Sequence, residues 1–102
     1  MDNLRAKARE LMSKIAEVEP SRWTAEGSVL ELTRQVGDLS ELTLKRRFYE
    51  QSGSDKNLDA EIADELVDIL LIIFYLADQY KLDLDKSLVS ALENLEKKLK
   101  NS

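Results

Sequence analysis

An all-α fold, an antiparallel four-helix bundle that oligomerises, is the expectation for this 102-residue chain. Three observations predict it. Apolar residues recur three and four apart along four segments, the spacing of a helix face. One Pro and three Gly leave few breakers to interrupt those segments. A stretch from Leu66 to Ala77 is apolar on every side but for Asp68, and a helix of that kind wants covering all round. Few strand-like alternations occur, which argues against a sheet. The length suits a single domain, residues 1–102, with a modest core.

The first helix is expected over Asn3 to Val18, where Leu4, Ala8, Leu11, Ile15 and Val18 share a face. Pro20 ends it, because the residue before a proline leaves helical geometry. The link EPSRWT carries the only Trp, Trp23, which either closes the end of the bundle or offers a ring for stacking. A long second helix runs from Thr24 to about Tyr49, capped by Thr24 or Ser21. Leu32, Val36 and Leu39 centre its apolar face, with Gln35 drawn into that face and Glu31 and Asp38 at the rim. Gly37, inside this helix, costs about 1 kcal/mol relative to Ala, so close approach of a backbone or a ligand is expected there. QSGSDKN, residues 51–57, reads as a loop. The third helix spans Leu58 to Tyr80. The fourth spans Leu84 to Lys98, with Asp83 as its N-cap and a basic final turn that suits the helix dipole.

The net charge of −5 disfavours a nucleic acid polymer as partner. It leaves room for a nucleotide whose phosphates are bridged by a divalent cation. With neither Cys nor His, disulfides, thiol chemistry and imidazole catalysis are out of reach, and any metal site must be built of oxygens. That favours Mg²⁺, or Mn²⁺. The N-terminal residues MDNLRAKARE are charged and helical rather than signal-like, and the uncharged run Ile69 to Ala77 is too short for a bilayer. A cytoplasmic protein without a membrane partner is expected.

The chemistry-bearing residues lie at the start of the third helix. Glu61, Glu65 and Asp68 fall on one narrow stripe whose continuation is the apolar Ile72. Acids in the first turn of a helix are explained by its dipole, but Asp68, set between Val67 and Ile69, is not. It must reach solvent or meet a cation, since an unpaired buried carboxylate costs several kcal/mol. The second helix offers Glu31, Gln35 and Asp38 on a comparable stripe. Two such stripes face to face would make a pocket of oxygens whose repulsion demands a cation. The lack of His disfavours a di-iron bundle, which takes Glu-x-x-His from two helices.

Val29 to Leu84 resembles the MazG-like, all-α nucleoside triphosphate pyrophosphohydrolases, whose members carry E-x-x-E on one helix and E-x-x-D on the next. Glu65-Leu-Val-Asp68, within DELVDILLIIFYLADQYKLDL, is similar to the second half of that pattern. LTRQVGDLSEL is similar to the first half, with Gln35 and Asp38 where the family has two Glu. On the fourth helix a basic residue and an Asn face the phosphates in the family. Ala91 and Leu95 stand near those places here, with Asn94 adjacent.

The resemblance implies cleavage between the α and β phosphates of a nucleoside triphosphate, giving the monophosphate and pyrophosphate, by a homodimer or homotetramer. It implies that Asp38, Glu65 and Asp68 ligate Mg²⁺ with Gln35 as a weaker fourth ligand, and that Glu61 accepts from or orients a water. Lys45 and Asn94 are then candidates for the phosphate side, and Trp23 for the base. Because Gln35 lacks a charge, a second reading stays open: a bundle of weakened or lost catalysis that binds nucleotides or serves as an oligomeric interaction module.

Overall fold

The computed structural model describes residues 2–101 and is all-helical, with no strand among the described residues. It has α1 (Asp2–Val18), α2 (Ala25–Gln51), α3 (Asp59–Gln79) and α4 (Leu84–Lys100), each bounded within two residues of expectation. None of these helices is long and apolar enough to cross a membrane, among the described residues.

The capping chemistry explains the agreement. Thr24 Oγ1 accepts from the Gly27 amide at 3.0 Å and starts α2. Asp83 Oδ1 accepts from the Lys86 amide at 3.0 Å and starts α4. Asn57 Oδ1 takes the Asp59 amide at 2.8 Å at the head of α3. The end of α3 is a Schellman turn: Leu82 N–H donates to the Ala77 carbonyl at 2.8 Å and Lys81 N–H to that of Asp78 at 3.1 Å. Lys81 occupies its left-handed position, at φ 55°.

α2 and α3 pack along much of their length, and their contacts run in opposite order. Arg46 meets Asp59 at 2.7 Å, Gln35 lies against Glu65, and Trp23, just before α2, meets Tyr75. α1 crosses α3 more sparingly. The core where the three join is small: Met12, Trp23 and Ile72, surrounded by Ala16, Leu32, Leu71, Tyr75 and Leu76. Tyr75 stands edge-on to Trp23 and donates its hydroxyl to the Trp23 carbonyl at 2.9 Å.

Two expectations from the apolar pattern are not met within one chain. α4 buries no residue among those described, and Leu88, Val89, Leu92, Leu95 and Leu99 are all exposed. On α3, Leu66, Val67 and Leu70 stay exposed although the segment is apolar on every side. The reason lies at the α3–α4 junction. The Schellman turn and a 2.6 Å ion pair between Arg5 and Asp85 set the start of α4, and the helix leaves the other three instead of lying along them. The chain therefore has a radius of gyration of 17.2 Å, against about 13 Å for a compact domain of this length. Its accessible surface is 7965 Å², about 2,000 Å² more than a compact monomer of its mass would show.

Gly37 also departs from expectation. Beyond its chain neighbours and the backbone of its own helix turns, nothing lies within 4 Å of where its Cβ would stand, so no other segment approaches it. The close approach is at Gly27, where a Cβ would run into the Arg22 carbonyl, 2.9 Å from its carbon.

Candidate functional site

α2 presents Asp38, Glu41 and Lys45 at helical spacings of three and four, so they share one face. α3 presents Glu61, Asp64 and Glu65 opposite them. Between the two lies an open cleft of about 400 Å³, lined by these side chains and Leu42. Carboxylates dominate it, and Lys45 is tied to Glu41 at 3.2 Å. The cleft exists because α2 and α3 pack in opposite directions, which brings the middle of one to the first turns of the other.

Glu65 is the electrostatic centre. It is half-buried, and loss of solvation raises its carboxyl above the usual range. The charges of Asp38 and then Asp68 push the same way, Arg34 opposes them, and Asp64 adds a further small push. Glu65 therefore feels both Asp68, its partner in the expected acid pair on α3, and Asp38 across from it.

Asp68 does not open into the same cleft as Glu61. It is exposed, and it borders a second hollow of about 200 Å³ together with Gln35, Glu31, Arg22 and Trp23. Of the two fates expected for this acid, solvent is the one observed. The Gln35–Glu65 contact stands between the two hollows, one residue lining each. Satisfying the local hydrogen bonds turns the Gln35 amide nitrogen toward Glu65, donating to Oε2, while the amide oxygen accepts from Arg34 Nη2 at 3.2 Å. Gln35 thus offers Glu65 a donor rather than the neutral oxygen expected of a metal ligand.

Glu31, expected at the rim, is buried, with 8% of its surface exposed. Arg22 clasps it through Nη2 and Nε, at 2.9 and 3.2 Å, and Arg34 bonds it from one turn along α2. Hydrogen bonds from Arg22 and then Arg34 hold its carboxyl at about 2, below the ordinary 4.5. It is committed to the fold and does not supply the charge that Gln35 lacks. The same Arg34 reaches Asp38 Oδ2 at 3.2 Å. Arg34 is the residue that helix-wheel reasoning missed. Its signal was the spacing Glu31, Arg34, Asp38, an i,i+3 and i,i+4 pair around one guanidinium.

The substrate-side candidates separate. Lys45 lines the acidic cleft. The Trp23 ring is buried in the core, so stacking on a base would require it to leave Met12, Ile72 and Tyr75. Asn94 sits exposed on α4, and lines neither hollow.

Among the described residues no three acidic side chains converge closely enough to hold a metal ion. The donor chemistry nevertheless suits a hard divalent cation: Asp38, Glu65 and Asp68 supply only carboxylate oxygens, and the push that Asp38 and Asp68 exert on Glu65 is what such an ion would relieve. The chain matches no protein-family model, no curated protein and no solved structure.

Proposed function

We propose that this chain is a Mg²⁺-dependent nucleoside triphosphate pyrophosphohydrolase, with Mn²⁺ as a substitute ion, acting in the cytoplasm as an oligomeric, antiparallel MazG-like bundle. It would convert an NTP or dNTP to the monophosphate and pyrophosphate. The observation that carries this reading is the carboxylate-lined cleft between α2 and α3, with Glu65 strained upward by burial and by Asp38 and Asp68. So concentrated a negative field repels a bare triphosphate and admits one that arrives with its cation.

In this reading Asp38 and Glu65, which share the cleft, would hold the ion, and Asp68 would join them by turning in from the neighbouring hollow. The ion would supply orientation of the triphosphate, relief of developing charge and a more acidic water. Glu61, exposed at the cleft, orients the attacking water and accepts its proton. Lys45 exchanges Glu41 for a phosphate oxygen. Two further observations favour a second reading, nucleotide binding without hydrolysis: the Gln35 amide nitrogen faces Glu65, and Arg34 already holds Asp38.

Pyrophosphate release from a panel of NTPs and dNTPs with Mg²⁺ separates the two. Turnover that disappears in Asp68→Asn is expected. Mg²⁺-dependent nucleotide binding without turnover would select the second reading, and the absence of both would remove each of them.

A further inference from the structure

Two apolar faces of this chain are left uncovered, and they diverge. One is the outer face of α3, with Leu66, Val67 and Leu70; the other is the α4 stripe of Leu88, Leu92 and Leu95. They meet in an apolar groove of about 600 Å³ walled by Leu70 and Phe74 on one side and Leu84, Leu88 and Ala91 on the other. We propose that the occupant is a second copy of this chain, whose α4 lies antiparallel along α3 of the first, with the reverse exchange made at the same time. The proposal specifies the self-association included in the functional reading above, but it does not depend on nucleotide chemistry.

The surface area fits. About 2,000 Å² of excess surface per chain, if covered, gives a dimer interface of about 4,000 Å² in total, in the obligate homodimer range. No chain can cover its own α3 with its own α4 in this arrangement. Arg5 bonds Asp85 at 2.6 Å while stacking over Phe74 at 4.1 Å, so the first turn of α4 is anchored and directed outward. A two-fold axis solves both problems with one contact made twice.

The charges set the direction. α4 ends in Lys97, Lys98 and Lys100, and Asp59, seven residues before Leu66 and so on the same face, opens α3 on its uncovered side, while Glu61 and Asp64 turn into the cleft toward α2. Antiparallel placement sets basic end against acidic end and Leu88 toward Ile73. The stretches to be matched are similar in length, about 18 Å from Leu88 to Lys100 and about 21 Å from Asp59 to Ile73. The exchanged helix would thus bring a basic segment beside the mouth of the acidic cleft.

The test uses the whole chain, which contains no cysteine. Light scattering should give an even multiple of 11.7 kDa at micromolar concentration; a monomer would overturn the proposal. Single variants Val67→Cys and Leu95→Cys, refolded together and oxidised, should give the mixed disulfide several-fold in excess of either symmetric one. Predominance of the symmetric products would mean α3 on α3 or α4 on α4, and would overturn the exchange. Neither measurement involves a nucleotide, so its outcome is separate from that of the pyrophosphate assay.

Discussion

Arg34 Nη1 donates to Asp38 Oδ2 at 3.2 Å, one turn further along α2, while the other arm of the same guanidinium holds Glu31. A cation is thus already present beside the carboxylates proposed to take Mg²⁺. The guanidinium and the ion compete for the same oxygen, because Asp38 cannot satisfy both in the geometry a small octahedral ion demands. Arg34→Gln should therefore strengthen divalent-ion binding several-fold, measured by Mn²⁺ titration followed by electron paramagnetic resonance. An unchanged or weaker affinity would show that Arg34 orients Asp38 for the ion instead of withholding it.

The Glu31 clasp makes a pH prediction. Its folded carboxyl sits near 2 and its ordinary value is 4.5, so the folded state holds it ionised more readily than the unfolded chain does. A depressed pKa contributes stability that is fully present above about 4.5 and is lost as pH falls toward 2. Arg22 and Arg34 are half-exposed, and solvent screening reduces the contribution to about 1–2 kcal/mol. Denaturant midpoints measured across that window should fall with acidification. In Glu31→Gln the fall should be shallower, from a lower starting stability. Parallel curves for the two proteins would mean that the clasp adds nothing to folding.

The helices themselves were legible in the sequence because their signals are local: Thr24 and Asp83 as caps, Pro20 as a stop, the 51–57 loop. Asp68 as an anomaly was legible for the same reason. The direction of α4 was not. Periodicity shows that Leu88 and Leu95 want a partner but not whose, and that is decided by four residues between Gln79 and Leu84 and by an ion pair eighty positions away in sequence, Arg5 with Asp85. At the site, the acidic stripes brought Asp38, Glu61 and Glu65 toward one another but gave Arg34 no part. A long guanidinium reaches over a helix turn, and wheels record only where a side chain starts. Glu31 was misjudged as a rim residue because its cover comes from Arg22, on the loop before α2.

Gly27 and Gly37 differ in what surrounds them, and Ala substitution should separate them in sign. Both are helical, where Ala is favoured over Gly by about 1 kcal/mol. At Gly37 nothing lies in the path of a methyl group, so Gly37→Ala should raise stability by about that amount. At Gly27 the methyl would collide with the Arg22 carbonyl, which belongs to the backbone and cannot step aside without disturbing the Thr24 cap and Trp23. Gly27→Ala should cost about 2 kcal/mol or more. Thermal unfolding of the two variants beside the parent checks both. A loss at Gly37 would point to a partner or ligand packed against that turn, the close approach that no other segment of the chain provides.

The junction that directs α4 also carries a removable strain. Lys81 holds φ 55° at the left-handed position of the Schellman turn, a place where a side chain costs about 1–2 kcal/mol and glycine costs nothing. Both hydrogen bonds of the motif come from backbone amides, so Lys81→Gly keeps them. Part of the gain is returned through the greater freedom of glycine in the unfolded chain, leaving about 0.5–1 kcal/mol. That corresponds to a rise in Tm of about 2–8 °C for a domain of this size. Lys81→Val, β-branched and poorly tolerated at positive φ, should shift Tm the other way. If the two variants melted together with the parent, the left-handed turn would not be what fixes the start of α4, and the helix would be able to fold back along its own α3.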